Sequence, residues 1–154
     1  MKKSLGMLVL FFAAVFSAAA VGSIWMPGEW YASIAKPAWT PPNALFGPVW
    51  TALYAMMAVA AWLVWRERGW RRGAAPLGLF GLQLLLNAAW TGLFFGLRRP
   101  DAAFVEIVLL WISIAATALL FRRVRSLAAV LLLPYLAWVG FAAALNLAIW
   151  VLNR

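Results

Sequence analysis

The uncharged stretch LAAVLLLPYLAWVGFAAALNLAIWVL, residues 127–152, decides what kind of fold this chain adopts. A helix needs about 20 apolar residues to cross about 30 Å of hydrocarbon, because each residue advances it by about 1.5 Å. Residues 127–152 exceed that length without one Asp, Glu, Lys or Arg. The stretch therefore predicts a transmembrane helix.

Four further stretches of the chain have the same character. Together with residues 127–152 they predict five spans, at about residues 4–25, 44–65, 74–97, 102–121 and 127–152. Glu106 is the only charged residue inside any of them. A helix satisfies its own backbone hydrogen bonds, which lipid cannot do. We therefore predict an all-α membrane protein, a five-transmembrane-helix bundle that forms a single domain over residues 1–154.

The first span allows two interpretations. Its basic start, its apolar centre and the run Ala18-Ala19-Ala20 are also typical of a secretory signal peptide. The uncharged run continues to Gly28, which is long for a signal peptide, and Trp25 suits an anchor at the membrane interface. A retained helix is therefore favoured, and cleavage is the alternative.

The composition fits lipid as the solvent of this chain. Hydrophobic residues make up 67% and charged residues 11%, whereas about a quarter of a soluble domain is charged. The net charge is +9, but the basic residues form short clusters between the apolar runs, which is typical of membrane-protein loops and argues against nucleic-acid binding. The chain has no Cys and no His, so we expect no disulfide, no zinc or other metal site, no imidazole chemistry and no axial His for haem.

The distribution of Lys and Arg predicts the orientation. Nine basic residues fall on the side of the N-terminus, and four, Lys36, Arg98, Arg99 and Arg154, fall on the other side. The positive-inside rule then places the N-terminus in the cytoplasm of a bacterial inner membrane. An outer membrane, where this rule would not apply, is the alternative.

The loop at residues 26–43 is unusually rigid and aromatic. The segment KPAWTPPNALFGPVW, residues 36–50, holds four prolines and two tryptophans. Proline fixes its own φ angle and stiffens the chain. A simple connection between two spans would be shorter and more polar, so we expect this loop to have a role of its own.

Two tryptophans fall deep in the predicted spans beside residues that share their helix face. Trp50 lies four residues before Tyr54. Trp138 shares a face with Ala142, Leu145 and Asn146, and small residues beside a large aromatic can leave a flat slot. A ligand pocket and plain aromatic packing remain open alternatives at both places.

A polar stripe runs along the third span. Gln83, Asn87 and Thr91 recur every four residues, with Trp90 and Phe94 alongside. Polar groups at membrane depth are costly unless they face protein, water or a ligand. The stripe therefore indicates either a ligand site or hydrogen bonds between helices.

Glu106 lies one to two turns inside the fourth span. An intramembrane carboxylate is a candidate functional group, but this one is close enough to the end to reach the interface or to pair with Arg98 or Arg99. No second acid and no base accompany it, so a hydrolytic site is not expected. Small residues four apart, Ala88, Gly92 and Gly96, permit close contacts within the bundle or in a homodimer.

Five motifs occur in order along the chain: WYASIAKPAWTPP (30–42), FGPVWTALY (46–54), PLGLFGLQLLLNAAW (76–90), LFFGLRR (93–99) and LLPYLAWVGFAAALN (132–146). Together they resemble the TspO/MBR family, which includes bacterial tryptophan-rich sensory proteins and translocator proteins of the peripheral-type benzodiazepine receptor kind. The resemblance implies a five-helix membrane fold, retention of the first helix and a homodimer.

The resemblance also implies a ligand. Members of this family bind porphyrins such as protoporphyrin IX or haem, and some bind cholesterol or benzodiazepine-type compounds, in a pocket that the first loop covers as a lid. The porphyrin would be a ligand, with no cofactor required. Carried over by motif, the resemblance implies that Trp39, Trp50, Gln83, Asn87, Trp90, Trp138, Ala142 and Leu145 bind the ligand, and we add Tyr54 because it shares a helix face with Trp50.

We therefore expect an integral membrane tetrapyrrole-binding protein that acts in porphyrin sensing, scavenging or transport. Lys36, Arg98 or Arg99 would meet the porphyrin propionates. One alternative is light-dependent porphyrin degradation, for which Trp50 and Trp138 are the candidate redox-active residues; no catalytic residue is otherwise indicated.

A second alternative is a membrane transporter for small molecules or sterols. Neither an inverted repeat nor a buried charge relay supports it. The sterol-recognition pattern of animal members needs a Tyr near the end of the last helix, and LNLAIWVLNR, residues 145–154, has none. We therefore expect weak sterol binding at most, besides contact with membrane lipid.

Overall fold

The computed structural model describes residues 2–25 and 27–154, which form helices joined by short connections and, within those ranges, no strand. The elements are α1 (Lys2–Gly22), α2 (Glu29–Ser33), α3 (Asn43–Arg72), α4 (Ala74–Thr91), a π-helical turn (Gly92–Gly96), α5 (Pro100–Arg122) and α6 (Ser126–Leu152). Five of the helices are long and apolar enough to cross a membrane: α1, α3, α4 with its π turn, α5 and α6. The predicted all-α fold with five spans is confirmed.

Two of the predicted spans end at other residues than expected. α1 ends at Gly22, not at residue 25. α3 continues from Trp65 to Arg72, because arginine is a good helix former and the helix does not stop where the apolar run stops. It is interrupted near its end at Gly69, whose φ of +63° lies in the left-handed region that glycine tolerates best.

The third predicted span changes its helix type near its end. The α-helical hydrogen bonds of α4 end at Thr91, and the chain continues to Gly96 as a π-helical turn, in which the Leu97 N–H donates to the Gly92 carbonyl at 2.8 Å. Turns of this kind are often found at functional sites. α5 then begins at Pro100, where the missing proline N–H costs nothing, with Asp101 in the first turn.

The spanning helices form a closed ring. α1 contacts α3, α3 contacts α6, α6 contacts α5, α5 contacts α4, and α4 contacts α1; α3 and α4 also meet across the ring. The loop between α1 and α3, described at residues 23–25 and 27–42, contains α2 and lies at one end of the ring, which we call the lid end. Met26 lies outside the described residues. We call the opposite end, where residues 66–72 and 122–125 lie, the arginine end.

The half of the bundle toward the arginine end is tightly packed. Ala58, Ala61 and Ala128 are completely buried and let neighbouring helices approach closely. Phe80 of α4 stacks on Phe121 of α5, with ring centroids 5.9 Å apart. The open space in the molecule therefore lies at the other end.

Candidate functional site

A cavity of about 630 Å³ lies inside the ring at the lid end. This volume is in the range that small-molecule sites occupy, about 300–1,000 Å³. Every spanning helix and the loop contribute to its wall. The lining residues are Ala19, Gly22, Ser23, Trp25, Pro27, Tyr31, Asn43, Ala44, Phe46, Gly47, Trp50, Tyr54, Asn87, Trp90, Thr91, Phe94, Phe95, Ile107, Leu110, Val139, Ala142, Leu145, Asn146 and Ile149.

The structure brings six of the nine expected ligand-binding residues to this cavity and leaves three outside its lining. The six are Trp50, Tyr54, Asn87, Trp90, Ala142 and Leu145. The three outside are Trp39, Gln83 and Trp138, each of which contacts protein instead.

Trp39 and Trp138 form an aromatic cluster beside the cavity. Trp39 is 49% exposed and lies edge-on against Phe141, at 5.7 Å between ring centroids. Trp138 lies at 5.6 Å from the same Phe141 and at 5.8 Å from Phe46, which does line the cavity. Trp138 therefore supports the wall through Phe46, while Trp50 and Trp90 face the space directly.

A buried hydrogen-bond network forms the polar floor of the cavity. The Tyr54 hydroxyl donates to Asn87 Oδ1 at 2.9 Å, and Asn87 Nδ2 donates to the Tyr135 hydroxyl at 3.1 Å. Tyr135 donates in turn to Gln83 Oε1 at 2.8 Å. These bonds join α3, α4 and α6, so Gln83 and Asn87 of the predicted polar stripe hold helices together, while Asn87 and Tyr54 also reach the cavity.

A second set of hydrogen bonds fixes the part of the cavity wall where α4, α5 and α6 meet. Trp90 Nε1 donates to Asn146 Oδ1 at 3.0 Å, and Asn146 Nδ2 donates to the Pro100 carbonyl at 2.7 Å. Thr91, the third member of the predicted stripe, bonds only within its own helix, to the Ala88 carbonyl at 2.9 Å. The Trp90 indole therefore has one fixed orientation with its ring toward the cavity.

Aromatic rings make up most of the wall near the lid. Tyr31 of α2 is buried and lies edge-on to Phe95 and Phe94, at 5.4 and 6.2 Å between centroids. Trp90 stacks on Phe94 at 5.1 Å. Burial raises the pKa of the Tyr31 hydroxyl, which is therefore neutral at physiological pH.

Two glycines of the π turn, Gly92 and Gly96, leave room for the indole of Trp25 to pack against the backbone. A Cβ atom added to Gly96 would lie 2.6 Å from Trp25 Cδ1, and one added to Gly92 would lie 3.5 Å from Trp25 Cζ3. Trp25 lines the cavity, so these glycines allow an indole from the end of α1 to close the wall beside α4. Their four-residue spacing thus serves a contact within the chain.

Two basic residues of the lid end, Lys36 and Arg99, are engaged in local contacts. Lys36 Nζ donates to the carbonyls of Tyr31, Ala32 and Ile34, and lies 4.8 Å from the centre of the Tyr31 ring. Arg99 binds Asp101 through two nitrogens at 2.8 and 2.7 Å, and these hydrogen bonds raise the pKa of Arg99. Neither side chain lines the cavity.

Glu106 faces the protein interior. Its side chain is buried, with 8% of the residue exposed, and neither carboxyl oxygen has a hydrogen-bond partner in the part of the chain that the structure describes. Among the described residues, no salt bridge joins it to Arg98 or Arg99. Both sequence-based interpretations that kept it at the interface are wrong, and the group lies next in sequence to Ile107 of the cavity wall.

The described lining offers little to a metal. No group of three or more His, Cys, Asp or Glu residues occurs in the part of the chain that the structure describes. The described cavity lining has no His, Cys or Met, which are common axial ligands of haem iron. The Tyr54 hydroxyl could approach iron, but its proton is donated to Asn87. The described lining therefore offers apolar and aromatic contacts and few ligands for a metal.

Several lining residues could not be identified from the sequence. Trp25 looks like an interfacial anchor, and Tyr31 lies in a loop whose short helix is hidden among prolines and aromatics. Phe95 and Leu110 are apolar residues in apolar helices, and nothing in their spacing separates a cavity wall from a helix contact. The spacing of Gly92 and Gly96 was the one feature of the sequence that indicated a close contact at this place, and Trp25 is the residue that makes it.

Comparison with known proteins assigns the family. The model of the TspO/MBR family matches residues 7–151. A translocator protein of Ovis aries is 45% identical over 139 residues, 87% of this chain and 82% of the sheep protein. The protein CrtK of Rhodobacter capsulatus is 41% identical over 152 residues, 97% of this chain and 94% of that protein. A tryptophan-rich protein TspO of Chlorobaculum tepidum is 48% identical over 130 residues, 82% of each chain. This chain, an integral membrane protein, therefore belongs to the TspO/MBR family.

Proposed function

We propose that this protein binds a tetrapyrrole, such as protoporphyrin IX or haem, in the cavity beneath the loop. The observation that carries the proposal is the wall itself: a cavity of about 630 Å³ that the indoles of Trp50 and Trp90 face. A flat macrocycle presents a large apolar surface, and stacking on aromatic rings contributes about 0.5–1.5 kcal/mol beyond the burial of area.

The geometry of Trp50 supports this proposal. Its ring stacks on Tyr54 at 5.3 Å between centroids, and Tyr135 lies edge-on behind it at 6.1 Å. Tyr54 is in turn fixed by its hydrogen bond to Asn87. An indole held in this way needs no reordering before a ligand stacks on it, which reduces the entropic cost of binding.

The charged edge of such a ligand would point out of the cavity. The described lining contains no charged side chain, and a carboxylate buried without a partner is costly. Lys36 donates to three carbonyls of its own loop, so it is a poorer partner for propionates than the sequence suggested. Arg98 is exposed at the same end and is the better candidate, since Arg99 is already paired with Asp101.

The experiment is a titration in the dark of purified protein in detergent with protoporphyrin IX, following the porphyrin absorption band. The variant is Trp50→Phe, and the matched control is Trp70→Phe at the arginine end, where Trp70 contacts Phe11 and Trp65. We expect saturable binding by the wild type and the control, and binding about threefold to tenfold weaker in Trp50→Phe. Absence of saturable binding by the wild type would refute the proposal.

The same samples address the alternatives. Trp138→Phe should weaken binding less than Trp50→Phe, because Trp138 stands behind Phe46. Illumination in air, followed by separation of the pigments, would reveal light-dependent degradation as a product that wild type forms and Trp50→Phe does not. Movement of porphyrin into sealed vesicles would instead indicate transport.

A further inference from the structure

The end of α6 is tied to the loop by one side chain. Asn153 Oδ1 accepts a hydrogen bond from the Ala35 N–H at 2.9 Å, and Asn153 Nδ2 donates to the Ala35 carbonyl at 2.9 Å. The same Nδ2 also donates to the Ile149 carbonyl at 2.7 Å, which fixes the side chain to its own helix. Two residues 118 positions apart are joined in this way.

The chemistry of this contact requires an amide. Ala35 lies in irregular backbone between α2 and the prolines, and among the described residues neither its N–H nor its carbonyl has a backbone partner. Asparagine is a short side chain that carries a donor and an acceptor in one plane, so it can satisfy both groups at once. An aspartate could accept from the N–H but could not donate to the carbonyl.

The contact extends from Ala35 to the cavity wall. The next residue, Lys36, holds the end of α2 through the carbonyls of Tyr31, Ala32 and Ile34. Tyr31 lines the cavity and lies against Phe95 of the π turn. Residues 31–36 are therefore one hydrogen-bonded piece of loop, attached to the last helix at Ala35.

We propose that Asn153 is a positioning residue that holds this piece of loop against the bundle, so that Tyr31 closes the cavity. Loss of the Asn153 amide frees the loop to move outward, which shortens the time that a ligand stays bound. The second part of this inference rests on the proposed function, whereas the first part concerns the ligand-free protein.

The first test is amide hydrogen exchange of the ligand-free protein. The reporters are the Ala35 N–H, which donates to Asn153, and the Ile34 N–H, which donates to the Trp30 carbonyl at 3.2 Å. In Asn153→Ala we expect exchange at both to be about tenfold faster, and in Asn153→Asp we expect an intermediate increase. Leu152→Ala is the matched control, because Leu152 is 52% exposed in the same turn. Exchange equal to the wild type in Asn153→Ala would overturn the proposal.

The second test is the dissociation rate of protoporphyrin IX, measured by dilution into excess detergent. We expect Asn153→Ala to release it about tenfold faster than wild type and Leu152→Ala, with the same thermal midpoint of unfolding as that control. Faster exchange with an unchanged dissociation rate would show a contact that does not position the wall, and would also overturn the proposal. If the wild type binds no porphyrin, the proposed function fails, and the exchange at Ala35 and Ile34 alone decides whether Asn153 holds the loop.

Discussion

The two halves of the bundle use the same five helices for opposite purposes. Toward the arginine end, completely buried alanines bring helices together, and large rings such as Phe121 fill what space remains. Toward the lid end, rings line a wall around about 630 Å³ instead of filling it. The difference lies in what holds the helices: packing of apolar side chains at one end, and hydrogen bonds and braced aromatic rings at the other.

The polar network lies where the two halves meet. Tyr135 and Gln83 are almost completely buried on its inner side, while Tyr54 and Asn87 reach the cavity on its outer side. Hydrogen bonds are directional, so they can keep helices at a fixed separation where packing alone would let the space collapse. The comparison therefore predicts that changes at the arginine end affect stability, and that changes at the lid end affect ligand binding.

The largest effect is expected from Phe121→Ala. Phe121 is completely buried and stacks on Phe80, so truncation should lower the free energy of unfolding by about 3–5 kcal/mol. The measurement is unfolding in detergent followed by circular dichroism. Porphyrin affinity of the folded fraction should stay at the wild-type value. A variant with normal stability and impaired binding would remove the distinction between the halves.

Tyr135→Phe should give the next largest effect. It removes one hydroxyl but leaves Gln83 and Asn87 buried without that partner, at a cost of about 1–2 kcal/mol. Tyr54→Phe is the matched variant, because it removes one bond of the same network from a side chain that lines the cavity. We expect Tyr135→Phe to destabilise more and Tyr54→Phe to change porphyrin affinity more. Equal effects on both quantities would contradict the assignment of an inner and an outer side.

Gly96→Ala tests the lid-end wall itself. The new methyl group would lie 2.6 Å from Trp25 Cδ1, so the indole must move. We expect a change in Trp fluorescence and about tenfold weaker porphyrin binding, with about 1 kcal/mol lost from stability. Gly78→Ala is the control, because a Cβ atom there meets nothing within 4 Å. The idea that Gly96 leaves room for the Trp25 indole fails if both variants behave alike.

The smallest effect is expected from Glu67→Gln at the arginine end. Glu67 of α3 pairs with Arg125 at 2.6 Å, but both side chains are partly exposed. Exposed ion pairs contribute about 0–1 kcal/mol and are screened by salt. Unfolding at low and high ionic strength should therefore differ little between the variant and the wild type. A loss well above 1 kcal/mol would mean that charge, and not packing, holds this end.

The sequence predicted the architecture far better than the site. Uncharged runs of membrane-spanning length leave few alternatives to helices, so the number and type of spans followed from composition alone. The errors occurred where a helix extends beyond the apolar run, as in α3 to Arg72, and where the helix type changes, as at Gly92–Gly96. Hydropathy measures affinity for lipid and does not distinguish these backbone hydrogen-bond patterns.

Some residues of the candidate site could likewise be predicted from the sequence, and others could not. Trp50, Tyr54, Asn87 and Trp90 could be found because polar and aromatic residues at helical spacing are unusual at membrane depth. Trp138 looked equivalent to Trp50 in sequence, but it lies behind Phe46. Whether a tryptophan faces the cavity or a neighbouring side chain depends on how its helix is rotated relative to the other helices. The periodicity within one helix does not contain this information.

By itself, then, the sequence determined that the chain lies in lipid, that it forms five spanning helices and that it carries the family motifs. These features depend on local composition and spacing. The tertiary structure alone decided which rings face empty space, that Glu106 is buried with no hydrogen-bond partner among the described residues, and that Asn153 meets Ala35 across 118 residues. Such contacts join distant parts of the chain, and their free energy depends on distances and angles that arise only when the helices are assembled.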